Sequence, residues 1–326
     1  MRSTPTRRSG AAAVAGIFVL LLSACGSEES PAAADSEESS SVTVVDNHGE
    51  MVVPVAPERV VALDNHVFET LSSWDVDLVA APKPIMGDLW PEYTENDDVL
   101  DAGAHFEPNL EAVIEADPDL IIGGYRFAEM YPDLKDVQEA TIETEPRPEE
   151  DHASELKRQT EILGQIFAQE DAAAEIVAEF DAAVENAKSA YNGEDTVIGL
   201  ITTGGEISYA APVEGRGVGA VFPTLGLVPA IDQEAEDTIH GDDISLEAIA
   251  QAAPDWLIVL DIDGAFQEDG YVPAEGLIGE AQALQNVPAV QKNQIVYLDP
   301  NFYLDESIQA YTGLYEDIAE AFGAAS

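Results

Sequence analysis

Residues 109–122, Asn-Leu-Glu-Ala-Val-Ile-Glu-Ala-Asp-Pro-Asp-Leu-Ile-Ile, return without a gap as residues 245–258, Ser-Leu-Glu-Ala-Ile-Ala-Gln-Ala-Ala-Pro-Asp-Trp-Leu-Ile. Leu110/Leu246, Glu111/Glu247, Ala112/Ala248, Ala116/Ala252, Pro118/Pro254, Asp119/Asp255 and Ile122/Ile258 are identical. In each copy Asn or Ser can cap a helix, apolar residues follow at helical spacing, Pro stops the helix, and an apolar strand comes next. This is an α-to-β unit of a mostly parallel sheet. The wide spacing means a duplicated lobe rather than one turn of a solenoid. A chain of 326 residues, 46% hydrophobic, has enough material for about two domains.

Between the copies, residues 151–191 are rich in Ala, Glu, Leu and Ile, contain no Pro and have Gly only at Gly164. They predict one long helix between the lobes, a stiff hinge that permits a small closure. Val42–Val45 and Met51–Val55 flank Asp46-Asn47-His48-Gly49, a hairpin signal that makes His48 an exposed turn residue. Arg59-Val-Val-Ala-Leu63 is a short strand with Asp64, Asn65 and His66 at its carboxyl end. The expected fold is therefore α/β: two mostly parallel-sheet lobes, 42–150 and 192–326, joined by one long interlobe helix at 151–191, with a ligand cleft between the lobes.

Against 64 Asp and Glu stand 13 Lys and Arg, a net charge of -51. A phosphate backbone would be repelled, so nucleic acid is not an expected partner. The lone cysteine excludes intrachain disulfides and Cys-rich metal sites. Arg2, Arg7 and Arg8 precede an apolar run, Ala11–Leu22, too short to span a bilayer, and Leu-Ser-Ala-Cys ends it at Cys25. The tetrapeptide resembles a bacterial lipobox. It implies a signal peptide at 1–24, a lipidated Cys25 opening an acidic linker at 25–41, and an anchor on the extracytoplasmic face of the cell membrane.

The lipobox, the Pro57-to-Leu63 strand, the paired Leu-Glu-Ala…Pro-Asp units, the helical connection and Ile295-Val-Tyr-Leu-Asp-Pro300 together resemble an iron–siderophore substrate-binding lipoprotein of an ABC importer. The resemblance runs from about residue 42 to the end of the chain. It implies a monomeric receptor that delivers a ferric siderophore to a permease and its ATPase, with no permanent cofactor and Fe(III)-siderophore as the transported ligand. Haem, cobalamin and divalent metal are the competing cargoes, with His66, His105 or His240 as candidate axial ligands. No Gly-x-Ser-x-Gly, His-Glu-x-x-His or Gly-x-x-x-x-Gly-Lys motif supports an enzyme.

An anionic iron chelate needs positive donors, which are scarce here. Arg126 follows the strand ending at Gly124, and Arg216 lies in Gly215-Arg-Gly-Val-Gly219, whose glycines let amides approach an anion ahead of a helix at 218–225. The resemblance places ligand-binding arginines at both positions. The competing account pairs each with a surface carboxylate, and Arg158, on the helix, is the expected bystander. The resemblance also brings His240 and Tyr303 to the metal itself, with Phe302 as the alternative to Tyr303. His66 and Trp90 complete the candidate ligand-binding set. Where related catecholate binders carry a third arginine, this chain has Asp261-Ile-Asp-Gly264, which favours a less anionic or amine-bearing ligand. Glu111 and Glu247, at matching repeat positions, are the expected permease-docking pair.

Overall fold

The protein is described here by a computed structural model over residues 40–267 and 270–325. The expected signal peptide, Cys25 and nearly all of the linker lie outside the described residues. The fold opens with the expected hairpin, β1 (Ser41–Asp46) against β2 (Gly49–Pro54). Its turn is closed by Asp46 Oδ1, which accepts the N–H groups of His48 (2.7 Å) and Gly49 (3.0 Å). His48 is the exposed turn residue expected, and it also makes contacts across the lobe. Its ring stacks on Tyr131 at 3.7 Å, and its Nε2 lies 2.6 Å from Glu143 Oε2.

The amino-terminal lobe is built on β3 (Val60–Ala62), β4 (Leu78–Ala81) and β5 (Leu100–Asp101), then a small hairpin of β6 (Gly103–Ala104) and β7 (Glu107–Pro108), then β8 (Leu120–Gly123) and β9 (Thr141–Glu143). The sheet is parallel throughout, in the order β5-β4-β3-β8-β9. Helices α1 (Phe68–Ser73), α2 (Pro91–Thr94), α3 (Leu110–Glu115) and α4 (Tyr131–Val137) lie between the strands in sequence. Every residue of β3 and β8 is buried, as the continuous apolar runs of a sheet packed on both faces require.

The connection is helical but is not one rod. It consists of α5 (His152–Phe167) and α6 (Glu170–Ala190), separated where Ala168 takes a left-handed conformation (φ 53) and donates its N–H to Gly164 O. α5 gives Leu156 to the carboxy-terminal core and Ile162, Leu163, Ile166 and Phe167 to the amino-terminal core, so it ties the lobes together. α6 buries Phe180, Ala183, Val184 and Ala187 in the carboxy-terminal core.

That second lobe contains β10 (Thr196–Thr203), β11 (Glu206–Ala210), β12 (Val228–Pro229), β13 (Asp242–Asp243), β14 (Trp256–Asp261) and β15 (Ile295–Tyr297), with α7 (Val221–Leu225), α8 (Leu246–Ala252), α9 (Ala274–Glu280), α10 (Pro288–Lys292) and α11 (Ile308–Ala325). The order is β13-β11-β10-β14-β15, with β12 also on β10. Strands β10, β14 and β15 run parallel, while β11 and β13 add an antiparallel edge.

The repeat survives in atomic detail. Asn109 Oδ1 and Ser245 Oγ cap α3 and α8 by accepting the N–H groups of Ala112 (3.2 Å) and Ala248 (3.1 Å). The Asp of each Pro-Asp pair then grips the neighbouring central strand. Asp119 accepts the N–H groups of Glu58 (2.9 Å) and Arg59 (3.0 Å), and Asp255 accepts the N–H and hydroxyl of Thr196, both at 3.1 Å.

Candidate functional site

The carboxyl ends of β3 and β8 and the loop after β11 converge on a cavity of about 570 Å³ between the lobes. Its lining includes His66, Tyr125, His152, Arg216, Glu306 and Tyr311. The lobes meet beside it. Asn65 Nδ2 donates to Leu304 O at 2.7 Å, and Tyr125 hydroxyl donates to Glu306 Oε2 at 2.7 Å.

Arg216 reaches the site from a tightly folded loop. Its N–H donates to Thr238 O (2.9 Å), and a Cβ at Gly219 would collide with the Gly215 backbone. The amides of this loop are not the anion cradle expected. Gly215 and Gly219 N–H groups donate to Ala211 O and Gly215 O, and the helix that follows, α7, has only five residues. The guanidinium, on a residue 8% exposed, binds Glu306 through Nε (2.9 Å) and Nη2 (2.5 Å) and stacks over the Tyr303 ring at 4.1 Å. Burial raises the cost of charge on Glu306, yet Arg216 outweighs it and holds this carboxyl below its ordinary value. The site residue Arg216 is thus an ion-paired cation.

Arg126 differs. Its guanidinium lies 5.4 Å from the Tyr125 ring centre and 5.1 Å from that of Tyr303, and its Nε is buried with no hydrogen-bond partner. The other arginines of the described residues are engaged. Arg59 donates to Ala116 O and Asp117 O, Arg147 binds Glu155, and Arg158 binds Glu155, Asn47 Oδ1 and Thr144 O. Arg158 is therefore a structural residue. Among the described residues Arg126 is the arginine with neither a recorded ion pair nor a recorded side-chain hydrogen bond, in a chain with 64 acids.

Tyr303, partly buried, has its ring within reach of both guanidiniums and edge-on to Phe266 at 5.9 Å. Phe302 is 2% exposed in the carboxy-terminal core and Tyr303 is partly buried against the same core; neither is among the residues lining the interlobe cavity. His240 is not brought into the site. Its side chain is 57% exposed and its Nδ1 is 3.4 Å from Asp237 of the same turn, while Thr238 and Ile239 line the cavity instead. Trp90 is also displaced from its expected place. It is 2% exposed in the amino-terminal core, edge-on to Phe68, with its indole N–H donating to Glu69 Oε2 at 3.0 Å. His105, exposed at the tip of the β6–β7 hairpin, is held below its ordinary pKa by burial and by Arg126 and Arg216.

Asp261 and Asp263 each already accept hydrogen bonds within the lobe. Asp261 accepts from Tyr271 hydroxyl (2.7 Å) and Ala274 N–H (2.9 Å), and Asp263 from Gly204 N–H (2.6 Å). Among the described residues no three His, Cys, Asp or Glu side chains group so as to hold a metal ion, and no helix is long and apolar enough to cross a membrane. Tyr125, Glu306 and His152 escaped the sequence reading. Adjacency to Arg126 is the one signal that could have exposed Tyr125, and Glu306 is hidden among many acids.

Residues 60–302 match the family described as periplasmic binding protein. The petrobactin-binding protein YclQ of Bacillus subtilis is 27% identical over 295 residues, 88% of this chain and 89% of its own length. The ferric-anguibactin-binding protein FatB of Vibrio anguillarum is 27% identical over 287 residues, 86% of this chain and 87% of its own. The crystal structure of YclQ matches with a TM-score of 0.76 at 25% identity, covering 87% of this chain and 99% of that one.

Proposed function

Starting from the fact that this chain belongs to the periplasmic binding protein family, we propose that it is a lipid-anchored, extracytoplasmic receptor that binds a ferric siderophore between its lobes and delivers it to an ABC permease. The observation that carries the reading is Arg126. A partly buried guanidinium without a carboxylate, held against two aromatic rings in an otherwise acidic chain, is a receptor for an anion. Two relatives named for iron-chelate ligands support the same ligand class. The lipobox supports an anchor at Cys25.

Fluorescence quenching of the purified protein by a panel of ferric siderophores tests the reading. Arg126→Ala should weaken the best ligand by about 1.5–3 kcal/mol, the range for a hydrogen bond to a charged group, with folding intact. Arg216→Ala should behave differently, because it strands a buried Glu306 carboxylate and should cost about 3–5 kcal/mol of stability in urea unfolding. If Arg126→Ala binds as the unaltered protein does, the anion site lies elsewhere.

A further inference from the structure

Two guanidiniums stand beside the Tyr303 ring, and only that of Arg126 lacks a counter-charge. Arg216 and Glu306 are both buried, at 8% and 3% exposure, and meet through Nε (2.9 Å) and Nη2 (2.5 Å), the fork geometry that suits a planar carboxylate. Nη2 also reaches Tyr303 O at 3.3 Å, and the Tyr303 ring lies over the guanidinium. Tyr125 hydroxyl donates to Glu306 Oε2 at 2.7 Å from the other lobe. Burial pushes this phenol well above its ordinary pKa, so it remains a donor. Glu306 is therefore a fixed internal anion, seated in the fork that a ligand oxygen would otherwise enter.

Taken together, Arg126, Arg216 and Glu306 carry one net positive charge. The surroundings add no second cation to it. Asp64 is engaged with His66 Nδ1 (2.7 Å) and Gln159 Nε2 (2.9 Å), and Arg147, the other arginine lining the cavity, is bound to Glu155. Glu149, Glu150, Asp151 and Glu214 line the same cavity and are exposed, so its rim is negative. A trianionic chelate beside Arg126 would meet one free cation and a buried carboxylate, in a setting where like charges are poorly screened. A neutral chelate would leave the Arg126 charge unanswered. A single negative charge matches the site.

We propose that Glu306 is a specificity-determining residue: by filling the Arg216 fork it restricts the receptor to ferric chelates that carry one negative charge and turns trianionic chelates away. The inference rests on the ferric-siderophore reading and names the charge class of the ligand within it.

The test uses the full chain and synthetic hexadentate chelates that differ in charge alone. A hydroxamate brings one negative charge and a catecholate two, so on Fe(III) the tris-hydroxamate is neutral, the bis-hydroxamate mono-catecholate is monoanionic and the tris-catecholate is trianionic. Fluorescence quenching should show the monoanionic complex bound most tightly, by about 10-fold or more over the trianionic one. Glu306→Gln keeps an acceptor for Tyr125 and removes the charge, so it should raise affinity for the trianion relative to the monoanion by about 10–100-fold. Because that variant leaves Arg216 buried without its partner, the double variant Arg216→Gln, Glu306→Gln serves should the single one not fold. It removes both charges of a neutral pair and should keep the preference for the monoanion. The proposal is overturned if the unaltered protein binds the neutral or the trianionic complex as tightly as the monoanionic one, if folded Glu306→Gln keeps the original ratio, or if the double variant loses the preference. Binding of none of the ferric chelates would remove the ferric-siderophore reading itself, whereas binding in the wrong order of charge removes this inference alone.

Discussion

Glu145 lies beneath the cleft, where Gly124 (φ 99) leaves space that any Cβ would take from its carboxylate. Its Oε2 is buried without a hydrogen-bond partner. Burial, reinforced by Asp64 and Glu143, pushes this carboxyl from 4.5 up to about 7. The folded chain therefore holds a proton that the unfolded chain releases, and stability from this group falls as pH rises from about 4.5 to about 7. Glu145→Gln should match the unaltered protein near pH 4 and exceed its stability at about pH 8 by about 1–3 kcal/mol. Urea unfolding at both pH values checks this, and an equal difference at both would remove the titration account. Residues such as this one are not legible in a sequence, since nothing marks one carboxylate among 64 as buried. Arg126 and Arg216 stood out for the opposite reason, being few, and the fold sets both guanidiniums beside the Tyr303 ring. Trp90 and His240 misled because a large aromatic and a turn histidine satisfy local demands first, the core around Phe68 and the carboxylate of Asp237.

At the scale of elements, the two Pro-Asp carboxylates act as matching clamps. Each holds the backbone at or just before a central strand to the α-to-β unit beside it, through two hydrogen bonds that a shorter side chain cannot make. Asp119→Ala and Asp255→Ala should each cost about 1–2 kcal/mol, and the double variant should cost the sum, because the clamps share no partner. A much smaller loss in one variant would mean that the duplication is geometric there and no longer energetic. These units were legible because cap, helix, Pro and strand agree at every level. The break between α5 and α6 was not. Ala168 is neither Gly nor Pro, and it turns left-handed in a helical run where Gly164 lets Ala173 pack closely, a tertiary preference overriding the local one. Two-residue strands such as β12 and β13 carry too little pattern to be read.

For the whole molecule, the duplication makes a surface as well as two cores. Glu111 and Glu247 occupy the first turns of α3 and α8, both exposed, and neither has a recorded hydrogen bond or ion pair. A reciprocal cap does not account for them, since the residues that bond to Asn109 and Ser245 are Ala112 and Ala248. Helix-dipole stabilisation of a few tenths of a kcal/mol remains. We propose that a partner with two matching halves, such as a two-fold permease, sets one cation against each carboxylate. Rim charges of this kind govern encounter and salt dependence more than the affinity for a ligand bound elsewhere. The double variant Glu111→Ala, Glu247→Ala should therefore bind ferric siderophore as the unaltered protein does, while uptake of labelled ferric siderophore by cells falls several-fold and each single variant loses part of it. Uptake unchanged in the double variant, at equal protein levels, would leave these glutamates with the helix dipole alone.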